Sequence, residues 1–239
     1  MAQKKVNKQD QELESVNEAL SQSGQWIEEH KKAITIGAGV VVAVVLGVMA
    51  VYQWVIKPNR IAASNENATA EVIFAQAEQA AMQGDTVRAK ALFEKALNGV
   101  QDSDTIGFLE VADNYSNQQA ELAALYAGVC YAELGQMEEA VEYLNKFSAS
   151  DITVGDAAQM RLGDVYVELG ELEKAAKAFE KAAKGENDVI APMALMKAGR
   201  VYLKLENKEA AKTVFETVKT KFFNTQEAQE VEKYLPMCD

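Results

Sequence analysis

The sequence predicts an all-α chain: one transmembrane helix followed by an α-solenoid of helical hairpins. Two observations carry this reading. Residues 33–56 form an apolar run with no charged side chain. Further on, a glycine–tyrosine–alanine–aromatic phrase returns three times, its tyrosines (Tyr131, Tyr166 and Tyr202) 35 and then 36 residues apart. A repeat of that period marks stacked supersecondary units, each unable to bury its apolar face alone.

The first 32 residues are polar. Leu13, Val16 and Leu20 make a short apolar stripe there, too brief for a stable lone helix. At 1.5 Å rise per residue, the run Ala33–Ile56 spans the roughly 30 Å hydrocarbon core of a bilayer. Lys31 and Lys32 bound it on one side, Lys57, Pro58 and Arg60 on the other. Trp26, Tyr52 and Trp54 lie where amphipathic rings prefer the headgroup region. The long polar segment before it and the lack of a small-x-small site after it favour an uncleaved signal anchor over a signal peptide. Lys4, Lys5, Lys8, Lys31 and Lys32 outnumber the basic residues just after the run. That bias predicts a cytoplasmic segment 1–32 and an extracytoplasmic domain 57–239. Thr35, Gly39, Ala43 and Gly47 recur every four residues. They form either a ridge where a neighbouring helix can approach closely, or a chance product of a span rich in glycine and alanine.

Each repeat reads as two helices joined by a tight turn. Gly128-x2-Tyr131-x3-Gly135-x4-Ala140-x3-Leu144 is answered by Gly163-x2-Tyr166-x3-Gly170-x4-Ala175-x3-Phe179. A third copy holds Gly199, Tyr202, Ala211 and Phe215, with Glu206 at the second glycine's place. Residues three or four apart share a helix face. The first glycine therefore admits the second helix closely, and the second glycine ends the first helix in a left-handed cap. A weaker copy precedes these: Gly84, Ala89, Phe93 and Ala96, with Ala80 in the tyrosine's place. Between Ala89 and Ala140 the register jumps by 51 residues. The excess, within Asn98–Ala120, predicts a loop (Gly99, Asp102, Ser103, Asp104, Gly107) and a short extra helix (Phe108, Leu109, Val111, Ala112) that caps or bends the solenoid locally. Pro192 suits the first turn of its helix. Thr225–Leu235 reads as a final polar helix with Thr225 as N-cap, covering the last apolar face.

These residues resemble the tetratricopeptide repeat family over roughly residues 70–220. The resemblance implies a fold that offers a surface to other proteins. It also implies that the first helices line a concave face, at nine, six and two residues before each tyrosine and one after. Those places are Leu122, Leu125, Val129 and Ala132; Ala157, Met160, Asp164 and Val167; Met193, Met196, Arg200 and Leu203. Relatives that clamp an acidic C-terminal tail carry lysine and asparagine there, and this chain does not. An apolar, methionine-bearing groove suits an apolar segment or amphipathic helix. The alternative is that the chain's own packing or C-terminal segment covers it.

Composition excludes several classes. The formal net charge of −12 repels nucleic acid. The one histidine, His30, precedes the span, so the repeats hold no Ser-His-Asp or Cys-His pair. No zinc spacing or phosphate-binding glycine loop occurs. The chain reads as a non-enzyme without cofactor or metal. Cys130 reads as a small buried residue and Cys238, second from the end, as mobile. Asn67-Ala-Thr69 and Asn114-Tyr-Ser116 read as chance sequons.

A polar tail, a Lys31-Lys32 stop, one span and then repeats is similar to the YfgM-like family of ancillary SecYEG translocon subunits. That resemblance implies a bacterial inner-membrane protein with a periplasmic repeat domain. It would associate with the translocon and with a PpiD-like anchored chaperone. A scaffold for another envelope assembly, in outer-membrane biogenesis or cell-wall and division machinery, has the same architecture.

Overall fold

A computed structural model describes residues 8–100, 105–148, 152–185 and 187–239, with side chains from Trp26 onward except Ile27 and Ile152. Lys4, Lys5, the loop residues Asp102, Ser103 and Asp104, and the side chains of Leu13, Val16 and Leu20 lie outside that description. Two compact units are resolved, Met1–Pro58 and Asn59–Asp239.

In the first unit, helix α1 runs from Lys8 to Val51. It begins well before the apolar run. Helix propagation from an existing turn avoids the nucleation cost that a lone segment around Leu13–Leu20 would face. The apolar part is long enough to cross a membrane, with a mean hydropathy of 2.6 and none of that stretch buried within the protein. His30 is exposed; it stacks on Trp26 at 4.7 Å, and its Nδ1 lies 2.9 Å from the Trp26 carbonyl. The Thr35 hydroxyl donates to the Lys31 carbonyl at 2.8 Å, so it needs no water. A Cβ placed on Gly39 or Gly47 would meet nothing within 4 Å.

A π-helical turn, Tyr52–Ile56, follows α1. The Lys57 N–H there reaches back to the Tyr52 carbonyl. Pro58 has no N–H and its ring crowds the carbonyl four residues back. A widened turn beside it is a common way for a helix to absorb that conflict.

The second unit stacks hairpins. Helix α2 (Lys57–Met82) pairs with α3 (Thr86–Asn98); α5 (Gln118–Leu134) with α6 (Met137–Lys146); α7 (Ile152–Glu168) with α8 (Leu172–Ala182); and α9 (Ile190–Lys204) with α10 (Lys208–Lys221). One contact recurs in three of them. A Cβ on Gly128 would lie 2.7 Å from Leu144, one on Gly163 2.5 Å from Phe179, and one on Gly199 2.3 Å from Phe215. The missing side chain is what lets the aromatic or leucine of the second helix seat against the first. In the first hairpin buried Ala77 holds the equivalent place opposite buried Phe93. The turns repeat as well: Gly84, Gly135 and Gly170 have φ of 79°, 84° and 74°, and Glu206 is held at 58°.

The insertion is part of the core. Helix α4 (Phe108–Asn114) buries Phe108 and Val111 completely. Phe108 stacks on Tyr126 at 4.9 Å and meets Phe74 edge-on at 6.1 Å. The element therefore fills the space between the first and second hairpins. Its entry loop closes on glycine: a Cβ on Gly107 would lie 2.3 Å from the Leu97 carbonyl oxygen. The Tyr115 hydroxyl donates to Glu66 at 3.0 Å, and Asn67 Nδ2 to the Gln119 carbonyl at 2.7 Å. Asn67 is 1% exposed, which rules out a glycan on the first sequon in the folded protein.

At the C-terminus Thr225 caps α11 (Gln226–Glu230), its hydroxyl accepting from the Ala228 N–H at 3.3 Å. The expected longer helix breaks into 3₁₀ turns, Val231–Lys233 and Leu235–Cys238. Tyr234 stacks on Phe215 at 5.5 Å, and Val231 is fully buried. Cys238, expected to be mobile, is instead buried in this cap. Lys208 and Lys212 hold Asp239 beside it. Both cysteines are free thiols.

Candidate groove on the inner helices

The first helices of three successive hairpins, α2, α5 and α7, with Phe93 of α3, line an open groove of ≈ 480 Å³. Phe74, Phe93, Leu125, Tyr126, Val129 and Met160 give it an apolar floor, and Glu78, Glu133, Arg161 and Asp164 a charged rim. These positions follow from helical period. Leu125 and Val129 are four apart, as are Met160 and Asp164, so each pair projects from one face. Phe74 and Tyr126 meet edge to face at 5.0 Å, which fixes the rings that shape the floor.

The charges at the rim are partly paired. Arg161 binds Glu133, while its Nε is buried without a partner. Lys197 of α9 donates to both Asp164 carboxylate oxygens at 2.6 Å. Burial, then the nearby Glu71 and Glu78 carboxylates, raises the Tyr126 hydroxyl above its ordinary pKa. Behind the floor, Cys130 is fully buried and desolvation raises its thiol far above the ordinary range. It is therefore held as an unreactive thiol. No group of three potential metal ligands gathers among the described residues.

The twelve places counted from the tyrosines fall into three sets. Leu125, Val129, Ala157, Met160 and Asp164 line the groove. Leu122, Ala132 and Val167 are half-buried outside it, with Ala132 and Val167 packed between neighbouring hairpins. On α9 the chain covers its own inner face. Met196 is 5% exposed, in one core cluster with Leu203, Val231, Tyr234 and Leu235. Arg200 stands over the Tyr234 ring at 5.9 Å. Only Met193 of that set presents an exposed apolar side chain. The sequence count missed Phe74, Glu78 and Ala81. They stand six and two residues before Ala80 and one after it. Ala80 stands in the tyrosine's place, and the same offsets applied to it give all three.

Residues 157–184 match the tetratricopeptide repeat, and residues 122–150 and 193–222 match a second description of the same repeat. A comparison with curated proteins gives no significant match. The kinesin-light-chain-type TPR-like repeats of Podosopora anserina are similar in structure, with 17% identity over 74% of this chain and 86% of that one and a TM-score of 0.55. BtubC (BKLC) from P. vanneervenii gives 16% identity, 79% and 80% coverage, and a TM-score of 0.52. MamA gives 20% identity, 71% and 90% coverage, and a TM-score of 0.43. The first two structures, with TM-scores above 0.5, show a likeness of fold; with the repeat matches, the second unit is a tetratricopeptide-like solenoid, an architecture that works as a protein–protein interaction scaffold.

Proposed function

We propose that this chain is a membrane-anchored scaffold whose groove docks a protein segment at the periplasmic exit of the Sec translocon, linking it to a PpiD-like anchored chaperone. The α1 span is the tether, segment 1–32 is cytoplasmic, and domain 57–239 is periplasmic. The observation that carries the docking reading is the open apolar groove between α2, α5 and α7. Self-packing seals the matching face of α9, yet leaves this one free. The translocon assignment rests on the architectural resemblance alone. No chemistry is assigned to the chain, since its work is contact.

Purification in mild non-ionic detergent, with wild type and Met160→Glu side by side, tests this. Met160 is only half-buried, so the fold tolerates a carboxylate that spoils the apolar floor. Translocon and chaperone subunits should accompany the wild type and be lost from the variant. Companions from outer-membrane or cell-wall assembly would overturn the translocon assignment. Companions that persist in the variant would overturn the groove.

A further inference from the structure

The charge around the groove narrows its occupant, an inference that rests on the docking reading. Three acids line it, Glu78, Glu133 and Asp164, and Glu71 lies two helical turns before Glu78 on α2, outside the lining but close enough to act on the Tyr126 hydroxyl. Arg161 pairs with Glu133, and Lys197 with Asp164. Among the described residues Glu71 and Glu78 have no ion-pair partner, and both bear on the Tyr126 hydroxyl at the floor. They are seven residues apart on α2, so they share a face about 10 Å apart, with Phe74 between them. The α2 side of an apolar groove thus carries one unpaired negative charge on its wall, Glu78, and a second just beyond its end, Glu71, astride the Phe74 ring. The chain's own C-terminal segment shows what sits on the next such face. It is a short helical piece laying Val231, Tyr234 and Leu235 against Met196 and Leu203.

We infer that the groove takes an amphipathic helix of a protein partner, with apolar side chains toward Phe74, Leu125 and Met160 and two basic side chains seven residues apart facing Glu71 and Glu78. Seven residues on a helix give the same spacing as the two acids. The apolar contacts hold the helix, and the paired charges set its register and select against acidic segments.

The test uses the full chain in non-ionic micelles and two labelled synthetic helices read by fluorescence anisotropy. Both carry one leucine–methionine face; one has lysines at the two flanking positions, the other glutamates. The lysine helix should bind roughly tenfold tighter, the scale expected of two partly exposed ion pairs. That preference should shrink at high salt, vanish in Glu71→Gln/Glu78→Gln, and reverse in Glu71→Lys/Glu78→Lys. Both sites are at least partly exposed, so these variants should fold. Equal binding of the two helices would overturn the charge selection while leaving the groove. Saturable binding of neither would overturn this inference and the docking reading together.

Discussion

Gly163 and Phe179 are complementary halves of one contact: a Cβ on the glycine would sit 2.5 Å from the ring's Cε1 and 2.9 Å from its Cζ. The same relation, sixteen residues apart in sequence, joins Gly199 to Phe215 and Gly128 to Leu144. It sets how closely the two helices of these three hairpins approach.

Gly163→Ala should therefore destabilise the repeat unit although alanine is the better helix former. Overpacking costs about 1–3 kcal/mol, against a propensity gain of roughly 1 kcal/mol. Gly163→Leu should cost more still. Urea denaturation followed by circular dichroism measures both; wild-type midpoints would mean the helices are held apart by something else.

Glu206 is the one described non-glycine residue with positive φ, at 58°. It stands where Gly135 and Gly170 end the earlier hairpin helices. Glu206→Gly should raise stability by about 1 kcal/mol, because a Cβ in that conformation costs roughly 1–2 kcal/mol. A lower melting temperature in the variant would contradict this.

The insertion should be indispensable. Phe108 is fully buried and stacked on Tyr126, so Phe108→Ala should cost about 3–5 kcal/mol. Differential scanning calorimetry gives the value. By contrast Tyr166 is only half-buried, so Tyr166→Ala should cost less than the 3–5 kcal/mol range of a fully buried ring.

Tyr202 gives a pH dependence. Burial, and its hydrogen bond to Glu180 at 2.8 Å, push its pKa up to about 12 from an ordinary 10.0. Between those values the native state keeps a proton the unfolded chain has lost. Stability from this group is thus intact below about pH 10 and declines as pH rises toward 12. Tyr202→Phe removes that titration, and its alkaline unfolding profile should be shallower than wild type. Identical profiles would show that the Glu180 contact contributes nothing.

Where the sequence was informative, it was so through spacing. Gly163 and Phe179, or Gly170 and its left-handed cap, could be placed because steric demand writes a fixed residue type at a fixed offset. The groove was half legible. Leu125, Val129 and Met160 follow from the tyrosine count, but Phe74 and Glu78 do not, since that count starts from tyrosines and the first repeat has Ala80 in the tyrosine's place. The sealing of α9 was legible only as the alternative to a free groove, with Thr225–Leu235 read as a cap over the last apolar face. The segment that does it, Gln226–Asp239, is not a repeat, and its 3₁₀ turns carry no periodic signature. Cys238 was misjudged for the same reason, because nearness to a terminus says nothing about burial once Lys208 and Lys212 hold Asp239.

The most direct measurement is photo-crosslinking in intact membranes from a probe at Met160, on the groove floor, against one at Val87, exposed on α3 and outside the groove. The Met160 probe should yield a discrete adduct with a partner helix, and the Val87 probe should not. Equal capture from both sites, or none from Met160, would contradict the claim that this solenoid works through its groove.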